Sequence, residues 1–484
     1  MDIITLLVTL TNGLIKAGQD FFEKPGGFAD FEGTVGALCA KTAADYIGGT
    51  LSQMDEMLCN SGLRKEKYDI LRHDQRTLIS SVGDIHFRQT LFTNRKTGKH
   101  CYLLDELIHM LPKERFTTQA EVKVLKEAAV SSYQRAADSL QIGQQKVSKT
   151  AVMNKVRKIV KDLPEAELPP EEKKKCERLY IEADEDHIHT QKDPSCVNGL
   201  MGKLIYLFEG KQDLWQGKRI LLEPHYFSGL YAGSKANKEL WETVQEYISG
   251  HYDEGVLEKV YISGDGGKWI KSGINYVDGS VFVADKFHLM KYINRVAGCA
   301  PEDAETIKKG LYESIYKNKR EKANRILDLV ENSCENSEDA VKDCRQYLLG
   351  NWKAVQRAFR DPNVIGCSAE GHVSNVLSDR MSSRPMGWSK QGADSMCRLR
   401  CYLKNGGSKK IIDLVKYRRE KEFQTQRAAK EATGTDGMLN RESIRKKYTK
   451  AQREAYTYVE RLQASVVGDT VKKTLAIREG LYYI

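Results

Sequence analysis

The sequence predicts an α/β core set among mainly helical regions, and three features lead there. Five strand-length runs crowd into residues 179 to 284, with one helical stretch between the third and the fourth. Two of those runs carry carboxylates among apolar neighbours that argue for burial. Residues 1 to about 75, and the chain from about Lys286 onward, read as helices with polar breaks.

Taken in order, residues 1–75 show helical patterning and no chemistry. Their start, Met1-Asp2-Ile3-Ile4-Thr5-Leu6-Leu7-Val8, carries an Asp where a secretory signal carries Lys or Arg, so an amphipathic first helix is expected. Between residues 76 and 105, Val82, Ile85, Phe87, Leu91 and Phe92 form a strand and Asn94-Arg95-Lys96-Thr97-Gly98-Lys99 a basic turn. His100-Cys101-Tyr102-Leu103-Leu104 then closes a β-hairpin. Residues 132–140 are helical, and Ser148 caps a further helix with Val152, Val156 and Ile159 on one face. Two short helices with a small turn match a helix-turn-helix, the alternative being an ordinary helical hairpin. In the first reading Lys149, Thr150, Asn154, Lys155 and Lys158 face a DNA groove, and 76–160 is a DNA-binding region. Residues 161–178, rich in Lys, Glu and Pro, read as a linker.

The core follows. Residues 179–190, 202–209 and 218–226 read as strands, and 235–252 as a helix with Leu240, Val244 and Ile248 at four-residue steps. Residues 256–264 and 280–284 are buried strands. This is the element order of a ribonuclease-H-like fold, expected over 179–400, with 401–484 as a basic helical C-terminal region.

The first strand places Glu182, Asp184 and Asp186 on one face and Glu185, His187 and His189 on the other. Acids in a central strand are costly unless paired or bound to a cation; an edge strand whose polar face meets water is the alternative. Val260-Tyr261-Ile262-Ser263-Gly264-Asp265-Gly266-Gly267 ends a second strand on an Asp wrapped by glycines, where α/β sheets hold ligands. Taken alone this is also a plain Gly-Asp-Gly turn. Glu370 opens an amphipathic segment farther on, with Asp361 and Asp379 as rivals for a third acid. Two aspartates and a third carboxylate suit Mg²⁺, or Mn²⁺ in its place, and such ions can activate a water or a 3′-hydroxyl at a phosphodiester.

Composition bounds the rest. The chain has 484 residues, 40% hydrophobic and 29% charged, an ordinary globular mixture for two to four domains. No apolar run approaches the ~18 residues of a membrane span, so a cytoplasmic protein is expected. The eleven cysteines are scattered without paired short spacings, which fits reduced thiols. Cys397 and Cys401, one helical turn apart, are either a zinc half-site or two buried thiols. The net charge of +10 is concentrated between Arg398 and Arg461, where 18 Lys and Arg face 8 Asp and Glu. That suits a polyanion, or a solvated helical face. There is no phosphate-cradling Gly-rich loop and no Ser-His-Asp arrangement.

Tyr180-Ile181-Glu182-Ala183-Asp184-Glu185-Asp186-His187, Ile262-Ser263-Gly264-Asp265-Gly266 and Asp285-Lys286-Phe287-His288 together resemble one family. Ala369-Glu370-Gly371-His372-Val373-Ser374, running into Leu377-Ser378-Asp379-Arg380, belongs to the same set. The resemblance is to ISL-type insertion-sequence transposases of the Mutator-like DDE group, over roughly residues 75 to 420. It implies a ribonuclease-H-like core with a helical insertion at about 291–365, and Asp184, Asp265 and Glu370 as the metal-binding catalytic acids. Asp186, two residues on and facing the same way, is the alternate for Asp184. Asp285-x-x-His288 stands where related proteins often have Cys-x-x-His, so His288, like His372, is expected in an accessory role. Arg380 and Arg384 are expected on phosphates and Trp388 on an unpaired base, a buried Trp beside a turn being the alternative. The implied activity is cleavage of double-stranded DNA at element ends and strand transfer to target DNA, by a homodimer or a larger synaptic complex. A catalytically inactive DNA-binding descendant and a structure-selective nuclease are the other expectations.

Overall fold

The computed structural model describes residues 3–432 apart from 141–144, 165–168, 192–198, 215–218, 335 and 385. The chain forms two compact units, one of residues 1–155 with 410–484 and one of residues 156–409.

In the first unit, helices α1 (Ile3–Glu23), α2 (Phe28–Asn60) and α3 (Gly62–Lys67) lead into strands β1 (Tyr68–Ser80), β2 (Gly83–Asn94) and β3 (His100–Tyr102). These strands form one antiparallel sheet in the order β1-β2-β3. Its inner face carries Leu78, Ile85, Phe87 and Phe92 against Ala44 and Leu58 of α2. The expected hairpin is therefore β2 and β3, turned at Asn94, whose side chain accepts from the backbone of Lys96 and Thr97. Two expectations fail here. Strand β1 begins inside the stretch read as helical, because Asp69, Arg72, His73, Asp74 and Gln75 make a polar strand with no apolar alternation to reveal it. Leu103 and Leu104, read as strand, open helix α4 (Leu103–Leu107).

Helices α5 (Thr118–Val130) and α6 (Tyr133–Asp138) follow, capped by the side chains of Thr117 and Ser132. Helix α7 (Lys149–Val160) starts at Ser148, whose hydroxyl accepts from Ala151 N. Residues 139–148 separate α6 from α7, and 141–144 of them lie outside the described residues. The turn that the helix-turn-helix reading places between these helices includes 141–144.

The second unit is a mixed α/β structure. Strands β4 (Arg178–Ile188), β5 (Leu200–Phe208), β6 (Gly210–Asp213), β7 (Arg219–Leu222) and β8 (His225–Gly229) precede helix α8 (Gly233–His251). Strand β9 (Lys259–Gly264), the short helix α9 (Lys268–Lys271) and strand β10 (Ser280–Ala284) complete the sheet region. Five of these strands form one sheet in the order β10-β9-β4-β5-β8. β4 runs parallel to β9, and β9 to β10, whereas β5 is antiparallel to both β4 and β8. The third core strand is β8, later than the 218–226 expected, because 219–222 pairs with β6 in a separate two-stranded ribbon.

Alternation along β4 builds both faces. Leu179, Ile181 and Ala183 enter a core with Ile205, Leu207, Val260, Ile262, Trp241 and Val244. Tyr180 on the other face stacks on Tyr261 and Phe208 at 5.5 and 5.7 Å. After β10 come helices α10 (Lys286–Gly298), α11 (Ala304–Tyr316), α12 (Arg320–Ser333), α13 (Glu338–Leu348) and α14 (Trp352–Arg360). They fill the interval where the helical insertion was expected. Helix α15 (Ala369–Val373) runs through a π-helical turn at Ser374–Ser378 into α16 (Asp379–Met381), and α17 (Lys390–Tyr402) packs on β8 and β5. The last described helix, α18 (Ser408–Ala432), joins the first unit from Lys410 on. The remainder of the basic C-terminal region lies outside the described residues.

Candidate active site

The parallel register of β4 on β9 ends with Glu182 opposite Ser263, two residues before Asp184 and Asp265, and the charge of Asp265 acts on Asp184. Asp265 follows the last residue of β9, at its carboxyl end. Gly264 is required there: a Cβ would stand 2.6 Å from the carbonyl oxygen of Ala183. Gly266 has φ +87°, which turns the chain back so that Gly267 N donates to Asp265 Oδ1 at 2.8 Å. Asp285 follows β10 in the same way, and its Oδ2 lies 2.8 Å from His288 Nδ1.

A cleft of about 330 Å³ is lined by Asp184, Glu185, Asp186, His288 and Glu370, with Val373, Ser374 and Ser378; Asp265 is not among its lining residues. Burial, reinforced by the charge of Asp265, pushes the Asp184 carboxyl up to about 6. Burial also raises Glu185 and Asp186. His288 is raised by its hydrogen bond to Asp285 and by the charges of Asp285, Asp265 and Asp184. Asp186 accepts from Ser382 Oγ at 2.9 Å, while its Oδ2 and the Oε2 of Glu185 are buried without a hydrogen-bond partner. Glu370 is exposed at the start of α15. Asp184, Asp265 and Glu370 do not form a closed ligand cage. Among the described residues, the set of three metal-capable groups with all ligand atoms within 4.8 Å is Asp55, Cys59 and His73 in the first unit.

The model of an uncharacterised protein family, UPF0236, matches residues 27–418. The chain belongs to UPF0236. One UPF0236 relative from Caldanaerobacter subterraneus subsp. tengcongensis is 30% identical over 406 residues, covering 84% of each chain, and its name joins eleven loci of that bacterium. A second from the same bacterium is 29% identical and covers 90% of this chain and 92% of its own. A UPF0236 protein of Streptococcus gallolyticus, named for the vanSb 3′ region, is 24% identical over 82% of this chain and 86% of its own. Among solved structures, the Drosophila P element transposase strand transfer complex matches at 10% identity and a TM-score of 0.23, over 64% of this chain and 82% of that one. At that TM-score the likeness carries no argument.

Of the other residues singled out in this UPF0236 chain, some have the surroundings expected and some do not. Trp388 is 5% exposed; its Nε1 donates to Met381 O and its backbone pairs with His189 and Gln191, so it is no platform for a base. Arg380 is buried against that ring at 4.7 Å and donates to Met386 Sδ, which removes it from a phosphate surface. Arg384 is exposed. Lys155, expected outward, is held by Glu114 and Glu121 at 2.8 and 3.2 Å, while Lys149, Thr150 and Asn154 are exposed and Lys158 is half-buried. His372 faces away from the cleft, its ring 4.4 Å from that of Tyr206 and its Nδ1 3.2 Å from Tyr226 Oη. Cys397 and Cys401 are buried thiols, with burial raising Cys397 to about 12, and no set of three metal-capable groups among the described residues includes them.

Sequence reasoning missed Glu185, Ser374, Ser378 and Ser382 around the cleft and Asp285 as the partner of His288. The serines carry no spacing signal. Glu185 was legible as one of four acids in the strand, but alternation assigned it to the far face.

Proposed function

We propose that the chain is a transposase of the ISL-type, Mutator-like DDE group, with a ribonuclease-H-like core that cuts DNA at insertion-sequence ends and joins them to target DNA. The observation that carries this reading is that Asp184 and Asp265 each lie two residues past the last pair of the parallel strands β4 and β9, near enough for the charge of Asp265 to act on Asp184, while Glu370 lines the cleft that Asp184 lines. The strand order β10-β9-β4-β5-β8, antiparallel only at β5, supports the ribonuclease-H-like assignment. The many loci named together in one bacterium are what a mobile element would leave.

The donor set fits Mg²⁺ or Mn²⁺: every candidate ligand is a carboxylate oxygen, and Asp186, the alternate, has a buried Oδ2 without a hydrogen-bond partner. Asp184, Asp265 and Glu370 are the residues that would hold it, with Asp186 as the alternate for Asp184. A bound Mg²⁺ supplies activation of a water or 3′-hydroxyl and neutralises charge on the leaving oxygen. The chain's own groups orient the substrate. His288, fixed by Asp285, can donate to a phosphate oxygen at the cleft, and the exposed Lys149, Thr150, Asn154 and Arg384 can contact the DNA backbone. The protein would act as a homodimer or larger synaptic complex on double-stranded DNA in the cytoplasm. No helix among the described residues is long and apolar enough to cross a membrane.

The test is cleavage of a plasmid carrying the DNA that flanks the gene, with Mg²⁺ or EDTA, for wild type and Asp265→Asn. Metal-dependent cutting lost in the variant with DNA binding kept supports the reading. Cutting without joining points to a nuclease using the same site, and binding without cutting to an inactive descendant.

A further inference from the structure

Glu182 is 2% exposed in the middle of β4, two residues before Asp184 and on the same face. It is not among the residues that line the cleft. Its carboxylate is instead saturated with donors. Ser368 reaches it through both backbone N, at 2.7 Å, and Oγ, at 3.0 Å. Lys211 Nζ donates at 3.0 Å, and Tyr206, its cross-strand partner on β5, donates through its hydroxyl. Lys211 also donates to Gly366 O and to Ser368 Oγ. Ser368 is the residue before α15, whose second residue is Glu370.

We infer that Glu182 is a positioning residue, tying the strand of Asp184 to the segment that presents Glu370. The tie rests on geometry alone; its catalytic consequence rests on the transposase reading. Three separate elements, β5, the ribbon β6–β7 and the segment before α15, converge on one buried carboxylate, and His372 stacks on the same Tyr206 ring one turn into the helix. An apolar residue at 182 would pack on the sheet but could not satisfy Ser368 N or Lys211, and it would set no register for α15. A satisfied buried polar network selects one arrangement of its members. A group of this kind acts on rate through distance, since a displacement of ~1 Å at a reacting centre costs ~10²-fold.

Two measurements on the full chain test this. The first is amide hydrogen exchange over residues 366–373 in wild type and Glu182→Gln. Faster exchange there by ~10-fold, with α8 unchanged, is expected; unchanged exchange would overturn the tie. The second is steady-state DNA cleavage with Mg²⁺. A kcat lowered by ~10–100-fold with an unaltered KM for DNA is expected, and an unchanged kcat would overturn the catalytic role. If Glu182→Gln does not fold, Tyr206→Phe removes one donor and keeps the ring under His372, and the same two changes are expected at several-fold size. A wild type that never cuts DNA sinks the transposase reading, while the exchange measurement still decides the tie.

Discussion

Arg418 and Glu121, 297 residues apart in the sequence, form an ion pair at 2.5 Å in which neither side chain has any exposure. Arg419 donates to the same glutamate at 2.5 Å and Lys155 at 3.2 Å, so three cations of the first unit converge on one acid. The basic C-terminal run is therefore partly consumed inside the protein. Arg400 likewise donates to the carbonyls of Val376 and Asn375, and Arg398 to Asp394.

Removing the shared acid strips the unexposed Arg418 of its 2.5 Å partner and leaves it Glu422 at 3.5 Å, while Lys155 and Arg419 keep Glu114. Glu121→Gln is expected to lower the free energy of unfolding by ~3–5 kcal/mol, read from denaturant melts. A loss below ~1 kcal/mol would mean that the cations find water or other acceptors.

Glu114 predicts a pH dependence. Burial opposes its charge, but Lys155, then Arg419 and the Phe116 amide, outweigh that and hold its carboxyl below the ordinary 4.5. A lowered folded value means stability that is present in full above about 4.5 and lost as pH falls through the folded value. The stability gap between wild type and Glu114→Gln should therefore be constant from pH 5 to 7 and shrink below ~4.5. A gap that widens on acidification would reverse the assignment.

Two neighbouring positions separate packing from binding. Trp388→Ala empties a buried site and should cost ~3–5 kcal/mol of stability. The exposed Arg384→Ala should leave the melting curve within ~0.5 kcal/mol of wild type, weaken DNA binding, and reduce the salt slope by ~1. Equal DNA affinity at all salt concentrations would remove Arg384 from the interface.

Gly264→Ala probes the approach of β9 to β4. Its Cβ would meet a backbone oxygen at 2.6 Å, and backbone cannot swing aside as a side chain can. Cleavage by the folded variant should fall at least ~10-fold with DNA binding retained, because Asp265 shifts relative to Asp184. Wild-type rates would show that the strands part without moving the carboxylates.

The core was legible where burial is two-sided or strictly alternating. Residues 179–190, 202–209, 256–264 and 280–284 announce themselves by apolar density, and α8 by Leu240, Val244 and Ile248 at four-residue steps. Strand β1 stayed hidden because its partners satisfy polar side chains, as Tyr102 does for Asp74 at 2.8 Å, and no hydrophobic period is left to read. Arg380 and Lys155 were read as DNA contacts because residue type alone suggests a ligand, and Trp388 was read both as a base platform and as a buried ring; what places them is contact with Met386, Glu121 and Met381, in other turns or helices.

By itself the sequence determined the local terms: which runs are strands, that Asp184 lies within one and Asp265 at the end of another, that Glu370 opens a later segment, and that Ser148 caps a helix. Those follow from periodicity and from backbone groups a few residues apart. Only the tertiary structure decided that β9 lies parallel beside β4, that Glu182 serves Ser368 rather than the cleft, and that Arg418 is spent on Glu121. Such contacts join residues 80 to 300 positions apart, and a side chain's energy there is set by the dielectric and donors around it, which no local window contains.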